Sequence, residues 1–280
     1  MKTYFVWLAA CLCASFCYGQ WLPQFIQPMD VPLSWNPGLA GSKGAGRFTS
    51  AFQYERRDYG ACVSPLGYYG GGMSYDTRIR DSKMGWGISG EMFDRTGAFT
   101  ASLTAVVNRQ FRLGPRLVVV PGIQFGLRNF GVEPIDVGHV PPGETSVLQR
   151  RGLIFGDIGA GLALNFGELT AGVAVQHLLD PSLEALFDPS LIPGVRLQRQ
   201  WVAHAEYRFR SPHQTKWEIR PSVWASTRYG GWLQGNVAGR FRFLWLGAGL
   251  NSQGFGSLSG GLQLYRMRLL YTYGNHASRE

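Results

Sequence analysis

The stretch WLQGNVAGRFRF, residues 232–243, alternates between apolar and polar residues with a period of two. In an extended chain, side chains two positions apart point to the same face. One face is therefore apolar and the other polar or charged, the two sets being Leu233, Val237, Phe241 and Phe243, and Gln234, Asn236, Arg240 and Arg242. This pattern predicts a β-strand that separates an apolar environment from an aqueous one.

The same alternation recurs along most of the chain, as in WVAHAEYRFR (201–210) and KWEIRPSVWAS (216–226). The 38 glycines and the 14% of aromatic residues disfavour helices and favour strands. We predict an all-β chain whose strands lie at 47–57, 67–79, 83–93, 98–112, 116–130, 153–166, 168–178, 199–210, 215–227, 231–241, 243–251, 257–265 and 267–274.

Several features favour a transmembrane barrel over a soluble sandwich with one face in water. The alternating segments have about ten residues, as a tilted strand needs to cross a bilayer, and aromatic residues such as Trp217, Trp232 and Tyr273 lie near their ends. Short connections alternate with longer ones, the longest being 131–152 and 179–198. We therefore predict a transmembrane antiparallel β-barrel of about 12–14 strands, with the N-terminus in the periplasm. Bacterial barrels usually have an even number of strands, and the polar tail offers no obvious last one.

The first 20 residues, MKTYFVWLAACLCASFCYGQ, have the pattern of a secretory signal peptide. Lys2 supplies a basic start, an apolar run follows, and small residues precede Gln20, so we expect cleavage before Gln20. The LAAC stretch that ends at Cys11 leaves a lipoprotein signal as an alternative, although Cys11 comes early for one. Beyond the signal no apolar run is long enough for a membrane-spanning helix, so we expect none.

The expected organisation is a signal peptide at 1–19, an N-terminal periplasmic or plug segment at 20–46, and the barrel at 47–280. The mature chain would keep one cysteine, Cys62, and so could form no internal disulfide. The formal net charge of +9 would suggest nucleic acid in a cytoplasmic protein. Behind a signal peptide it indicates instead a charged lumen, or lipopolysaccharide and protein partners, and we expect no nucleic acid.

A rigid, uncharged turn, WNPGLAGS (35–42), lies between the expected signal and the first strand. Pro37 fixes its own φ and lacks an N–H, while Gly38 and Gly41 permit tight backbone. Turn chemistry alone leaves two interpretations open, a structural turn or plug beneath the barrel and a docking element for a partner.

The longer stretch PQFIQPMDVPLSWNPGLAGS (23–42) resembles the N-terminal signature of the PorP/SprF family, outer-membrane proteins of the type IX secretion and gliding machinery of Gram-negative bacteria. The matching positions are Pro23, Gln24, Phe25, Gln27, Met29, Pro32, Leu33, Asn36, Pro37, Ala40, Gly41 and Ser42. The resemblance covers roughly residues 20–274, with less specific similarity at FQYERR (52–57), 155–181, 219–226 and 244–273. Family members usually carry a further strand where this chain has only a short tail.

The resemblance implies a non-enzymatic outer-membrane component of type IX secretion, without a cofactor. It implies as partners outer-membrane lipid or lipopolysaccharide, periplasmic ring proteins of the secretion system, and a secreted adhesin or other cargo. It also implies a partner-docking or plug motif formed by Gln24, Phe25, Pro32, Leu33, Asn36, Pro37, Gly38, Ala40, Gly41 and Ser42. The alternative function is a passive outer-membrane channel or a hydrophobic-solute transporter of porin or FadL-like type.

Residues for chemistry are sparse, and we expect no catalytic, cofactor-binding or metal-binding site. The five histidines lack metal-ligand spacing. GDIGAG (156–161) resembles a phosphate loop but lies within a strand, so we interpret its small residues as a place where neighbouring strands or a plug approach closely. His204 with a serine of the barrel leaves a hydrolase open as a third class. We expect five arginines to face a solvated lumen and to pair there with Glu206 and Glu218. They are Arg208, Arg210, Arg220, Arg240 and Arg242.

Overall fold

The computed structural model describes residues 31–57, 66–80, 82–95, 98–132, 151–182, 196–210, 217–227, 231–252, 254–264 and 267–276. These residues form fifteen β-strands and two short 3-10 turns, and there is no α-helix among them. The strands are β1 (Arg47–Arg57), β2 (Leu66–Arg78), β3 (Met84–Arg95), β4 (Ala98–Arg109), β5 (Phe111–Arg112), β6 (Leu117–Val132), β7 (Arg151–Phe166), β8 (Leu169–Gln176), β9 (Gln200–Tyr207), β10 (Phe209–Arg210), β11 (Trp217–Ser226), β12 (Trp232–Phe241), β13 (Leu244–Asn251), β14 (Phe255–Leu264) and β15 (Met267–His276).

The predicted strands are confirmed, with ends that agree to within two residues. Two predicted strands are each interrupted by a single residue, between β4 and β5 and between β9 and β10. The register continues across the first gap, since Asn108 lies opposite Gly122 and Phe111 opposite Val119. When each interrupted pair is counted once, the described residues contain thirteen strands.

The chain divides into two compact units. The N-terminal unit contains Pro23–Gly167 and Gly172–Arg199. Its strands pair antiparallel in chain order from β1 to β7, with β5 continuing β4 alongside β6. The C-terminal unit contains Glu168–Ala171 and Gln200–Glu280. Its strands also pair antiparallel in chain order, from β9 through β11 to β15, and β10 continues β9 alongside β11.

Burial along the strands is the reverse of that in a soluble sheet. On β12, Gln234 and Asn236 are only 4% and 5% exposed, whereas Leu233 and Val237 are 52% and 54% exposed. Soluble proteins normally bury such apolar side chains and leave polar ones in water. Both units repeat the inversion, with exposed apolar residues that include Phe52, Met92, Leu103, Leu127, Leu246 and Leu258, and buried polar residues that include Asp76, Asn108, Gln124, His204 and Arg220. The exposed faces therefore suit hydrocarbon, as in transmembrane strands.

Helical spans are a separate question. In the part of the chain that the structure describes, no helix is long and apolar enough to cross a membrane.

Candidate functional site

The stretch from Val31 to Gly46, called the N-terminal segment below, precedes β1 and packs on the polar face of the N-terminal unit. It contains two 3-10 turns, Pro32–Ser34 and Pro37–Leu39, each of which starts with a proline. Proline suits this position because its φ is already fixed and its missing N–H would have had no partner in the turn. The two prolines therefore restrict the backbone of the segment to a compact, rigid shape.

Asn36 caps the second turn and joins it to two strands. Its Oδ1 accepts a hydrogen bond from the Gly38 N–H at 2.8 Å. Its Nδ2 donates to the backbone carbonyls of Leu162 on β7, at 3.2 Å, and of Val173 on β8, at 3.4 Å. A side-chain amide can accept on one atom and donate twice from the other, which neither aspartate nor serine can do. The fully buried Asn36 thus has a physical reason to be asparagine.

Asn108, a buried residue of β4, holds the carbonyl end of the same turn. Its Nδ2 donates to the carbonyls of Pro37, at 3.0 Å, and Ala40, at 2.9 Å. Its Oδ1 accepts from the Gly85 N–H of β3 at 3.1 Å. The Pro37 carbonyl also accepts from the Ala40 N–H within the turn, at 3.3 Å, so Asn108 adds a second donor there and ties the turn to β4.

Asp76 on β2 fixes the place where the N-terminal segment leaves the polar face. Its carboxylate accepts from the Gly41 N–H at 2.7 Å and pairs with Arg47 through Nε at 2.7 Å and Nη2 at 3.0 Å. Two-point pairing of this kind is stronger than a single neutral hydrogen bond. Gly41 has a φ of +65°, and a Cβ there would lie 2.8 Å from the Thr77 carbonyl oxygen, so glycine is required.

The first turn is attached through Ser34. Gln176 of β8 donates from Nε2 to the Ser34 carbonyl at 2.6 Å, and the Ser34 hydroxyl donates to the Glu91 carboxylate of β3. The segment is therefore hydrogen-bonded to side chains of β2, β3, β4 and β8, and to backbone carbonyls of β7 and β8.

Apolar contacts anchor the segment between these hydrogen bonds. Leu33 and Ala40 cluster with Val106 of β4. Leu39 clusters with two strand residues, Val120 of β6 and Ala163 of β7. These side chains are buried, which contributes the usual favourable transfer of apolar surface from water.

Glycines in the strands leave the room that the backbone of the N-terminal segment occupies. A Cβ at Gly122 of β6 would lie 2.7 Å from the Pro37 carbonyl carbon, and one at Gly38 would lie 2.6 Å from the Val120 oxygen. A Cβ at Gly161 of β7 would clash with the Asn36 side chain. The interpretation of GDIGAG as small residues beneath a close neighbour is confirmed at Gly161.

Most residues of the predicted motif are brought together by this packing. Pro32, Leu33, Asn36, Pro37, Gly38, Ala40 and Gly41 are buried, whereas Ser42 is exposed. Gln24 and Phe25 lie outside the described residues. Sequence reasoning missed the strand residues that hold the segment, namely Asp76, Glu91, Asn108 and Gln176. Their signal was available, because each is a polar residue on the face of its strand opposite the exposed apolar residues.

The C-terminal unit carries a network of ion pairs on its polar face. Glu218 of β11 lies 3.5 Å from Arg208, 3.4 Å from Arg220 and 3.4 Å from Arg240. Glu206 of β9 lies 3.7 Å from Arg208 and from Arg220. The predicted pairing of inward arginines with these two glutamates is confirmed for three arginines.

Two other predicted inward arginines lie elsewhere. Arg210 is half exposed and pairs with Glu168 at 3.7 Å. Arg242 follows the end of β12 with a φ of +55°, and its guanidinium lies 5.6 Å from the centre of the Phe241 ring. The alternation that placed Arg242 on the polar face ends at the turn, since β12 stops at Phe241.

A comparison with protein families gives a match over nearly the whole chain. A family model described as "Type IX secretion system membrane protein PorP/SprF" matches residues 18–279. The chain belongs to the PorP/SprF family. A comparison with curated proteins finds no match. The chain is therefore a membrane component of the type IX secretion system, and its predicted fold class, a transmembrane barrel of antiparallel strands, is confirmed.

A buried cluster follows β8 in this PorP/SprF protein, at the start of the stretch HLLDP (177–181). His177 is fully buried, and its Nδ1 lies 2.7 Å from the Asp157 carboxylate, which also lies 3.6 Å from Arg128 Nε. His177 has a φ of +58°, a conformation that favours glycine. The contact with Asp157 holds this unfavourable backbone where the chain leaves β8.

His204, the one residue considered for hydrolase chemistry, lies on β9. Its ring stacks on the Trp224 indole with centroids 4.7 Å apart and planes 20° apart. Stacking gives the buried ring a packing role on the polar face of the C-terminal unit. Among the described residues, no group of three or more His, Cys, Asp or Glu side chains is placed to hold a metal ion.

Proposed function

We propose that the chain is a non-enzymatic outer-membrane β-barrel of the type IX protein secretion and gliding machinery, which docks to periplasmic ring components or supports the export of a specific cargo. It would reach the outer membrane of a Gram-negative cell after cleavage of residues 1–19. Residues 20–46 would form the periplasmic or plug segment, and 47–280 the barrel. Its partners would be outer-membrane lipid or lipopolysaccharide, the ring proteins, and a secreted adhesin or other cargo.

The observation that carries this proposal is the way the N-terminal segment is held. Asn36 of the segment donates to backbone carbonyls of β7 and β8, and Asn108 and Asp76 bind the backbone of the segment from β4 and β2. Glycines in β6 and β7 leave space for it. Such attachment keeps residues 42–46, which are exposed, in a defined position beside the strand ends. A rigidly presented exposed loop can bind a partner without the entropic cost of ordering it.

A passive channel is the alternative function, and the same observation weighs against it. The N-terminal segment covers the polar face of β3, β4, β6 and β7, where a water-filled path along these strands would have to run. We therefore expect low conductance in planar bilayers. A hydrolase is disfavoured because the buried His204 ring stacks on Trp224, which gives it a packing role.

The proposal is tested in cells by two changes, deletion of 24–42 and Asn36→Ala, with Asn129→Ala on β6 as the control. Each variant is first checked for barrel assembly by its heat-dependent shift on gels. We expect both changes to weaken co-purification with the ring proteins and to reduce secreted cargo, while Asn129→Ala does neither. Normal ring association and secretion in the assembled deletion variant would defeat the proposal. Large bilayer conductance of the wild type would favour the channel. Ester cleavage by the wild type that is lost in His204→Ala would favour the hydrolase.

A further inference from the structure

Exposed cationic side chains are concentrated at one edge of the N-terminal unit. This basic edge is formed by residues 42–46, by the β2–β3 connection and by the end of β4 through the β5–β6 connection. Its exposed cations are Lys43, Arg80, Lys83, Arg109, Arg112 and Arg116. The described residues of these stretches, 42–46, 79–80, 82–83 and 109–116, include no aspartate or glutamate, and Asp81 lies outside the described residues. The nearby Asp76 is buried and already paired with Arg47.

The basic edge lies at the boundary of the exposed apolar faces. On β3 the exposed apolar residues begin at Met84 and Trp86, directly after Lys83. Just after the end of β2, the exposed Ile79 directly precedes Arg80. If these apolar side chains lie in hydrocarbon, as the inverted burial indicates, the adjacent cations lie at the level of the lipid headgroups.

Arg109 shows how a cation is placed for such a setting. It is exposed on β4, and its guanidinium lies 5.6 Å from the centre of the exposed Phe111 ring. An aromatic ring at the membrane interface together with an arginine presents an apolar surface to the acyl chains and hydrogen-bond donors to a phosphate.

We propose that the basic edge binds the headgroups of anionic phospholipids in the leaflet where this edge lies, through phosphate contacts of Lys83, Arg109, Arg112 and Arg116. The cations adjoin exposed apolar side chains rather than standing on a separate aqueous surface, which favours lipid over an acidic protein. This inference rests on the proposed function, because it specifies which lipids the proposed membrane protein would bind. It depends on membrane insertion and not on secretion.

The test uses the purified full-length chain in phosphatidylcholine vesicles that contain brominated phosphatidylglycerol or brominated phosphatidylcholine. Bromine quenches nearby tryptophan, and Trp86, which is 40% exposed and close to Lys83, is the reporter. The part of the quenching that is lost in Trp86→Phe is the contribution of Trp86. The relative quenching by the two lipids gives the preference for the anionic headgroup, and added salt should reduce that preference.

A cation near an anionic membrane contributes about 1 kcal/mol, which is about five-fold in binding. R109Q/R116Q removes two such cations and should therefore lower the preference for phosphatidylglycerol by about 25-fold if their contributions add. The matched control R196Q/R199Q removes two exposed arginines from the connection after β8, at the other end of the strands, and should leave the preference unchanged.

A wild-type chain without lipid preference, or R109Q/R116Q with the wild-type preference, would overturn the proposal. Unchanged lipid preference with lost binding to purified ring proteins would assign the basic edge to protein docking instead. Because the vesicles contain no secretion machinery, a negative result here leaves the secretion role standing. A secretion defect in cells likewise leaves the lipid result standing.

Discussion

Asn36→Ala is the sharpest perturbation of the N-terminal segment, because it removes three hydrogen bonds without adding bulk. The lost contacts join Asn36 to Gly38, Leu162 and Val173. A net contribution of about 1 kcal/mol for each bond gives a loss of about 3 kcal/mol. Since about 1.4 kcal/mol corresponds to a factor of ten, opening of the segment should become roughly 100-fold more frequent.

Amide hydrogen exchange measures this opening directly in the assembled protein. The Gly41 N–H is the reporter, because it donates to Asp76 and its own bond is not removed by the substitution. We expect its protection from exchange to fall by about 100-fold in Asn36→Ala. Asn129→Ala, which changes a side chain at the opposite end of β6, should leave it unaltered. Gly41 protection within about three-fold of wild type in Asn36→Ala would refute the assigned role of Asn36.

Two further predictions concern the strands themselves. Gly161→Ala places a methyl group against Asn36 and should destabilise the protein by about 1–3 kcal/mol. In the control, Gly156→Ala on the same strand, the added methyl group meets nothing within 4 Å and should be tolerated. Equal urea midpoints for the two variants would contradict the close packing at Gly161. Glu218→Gln leaves three nearby arginines without their shared carboxylate and should cost about 3 kcal/mol. Glu168→Gln removes a carboxylate from a half-exposed pair and should cost less than about 1 kcal/mol. Urea unfolding in detergent measures the stability of both variants, and equal losses of stability would argue against the network.

The strands could be predicted from the sequence because their signal is local. A pleated chain turns each side chain to the opposite face from the last, so alternation in a window such as 232–241 is enough to identify the strand. The prediction failed at Arg242, where the alternating pattern continues in the letters but the backbone has already turned. The strand itself was correctly predicted to end at 241, so the error lay in extending its alternation into the turn.

Only some residues of the candidate site could be predicted from the sequence, for a related reason. Pro32, Asn36 and Pro37 could be identified because turn chemistry and family resemblance are both read within a few residues. Asn108 lies 71 residues from Pro37 and 68 from Ala40, so its contacts depend on strand pairing that no local pattern specifies. The alternation places Asn108 on the polar face of its strand, but only the structure shows which buried carbonyls lie beside it.

The central claim is that one face of each strand meets lipid while the other carries the buried polar groups. Spin labels attached one at a time to cysteines at 233–237 of β12, in a background without native cysteines, test it in reconstituted vesicles. Collision with oxygen, which concentrates in the acyl chains, should be high at Leu233, Gly235 and Val237 and low at Gln234 and Asn236. Uniform collision rates along 233–237, or high access of a water-soluble relaxation agent at Leu233 and Val237, would contradict the membrane setting.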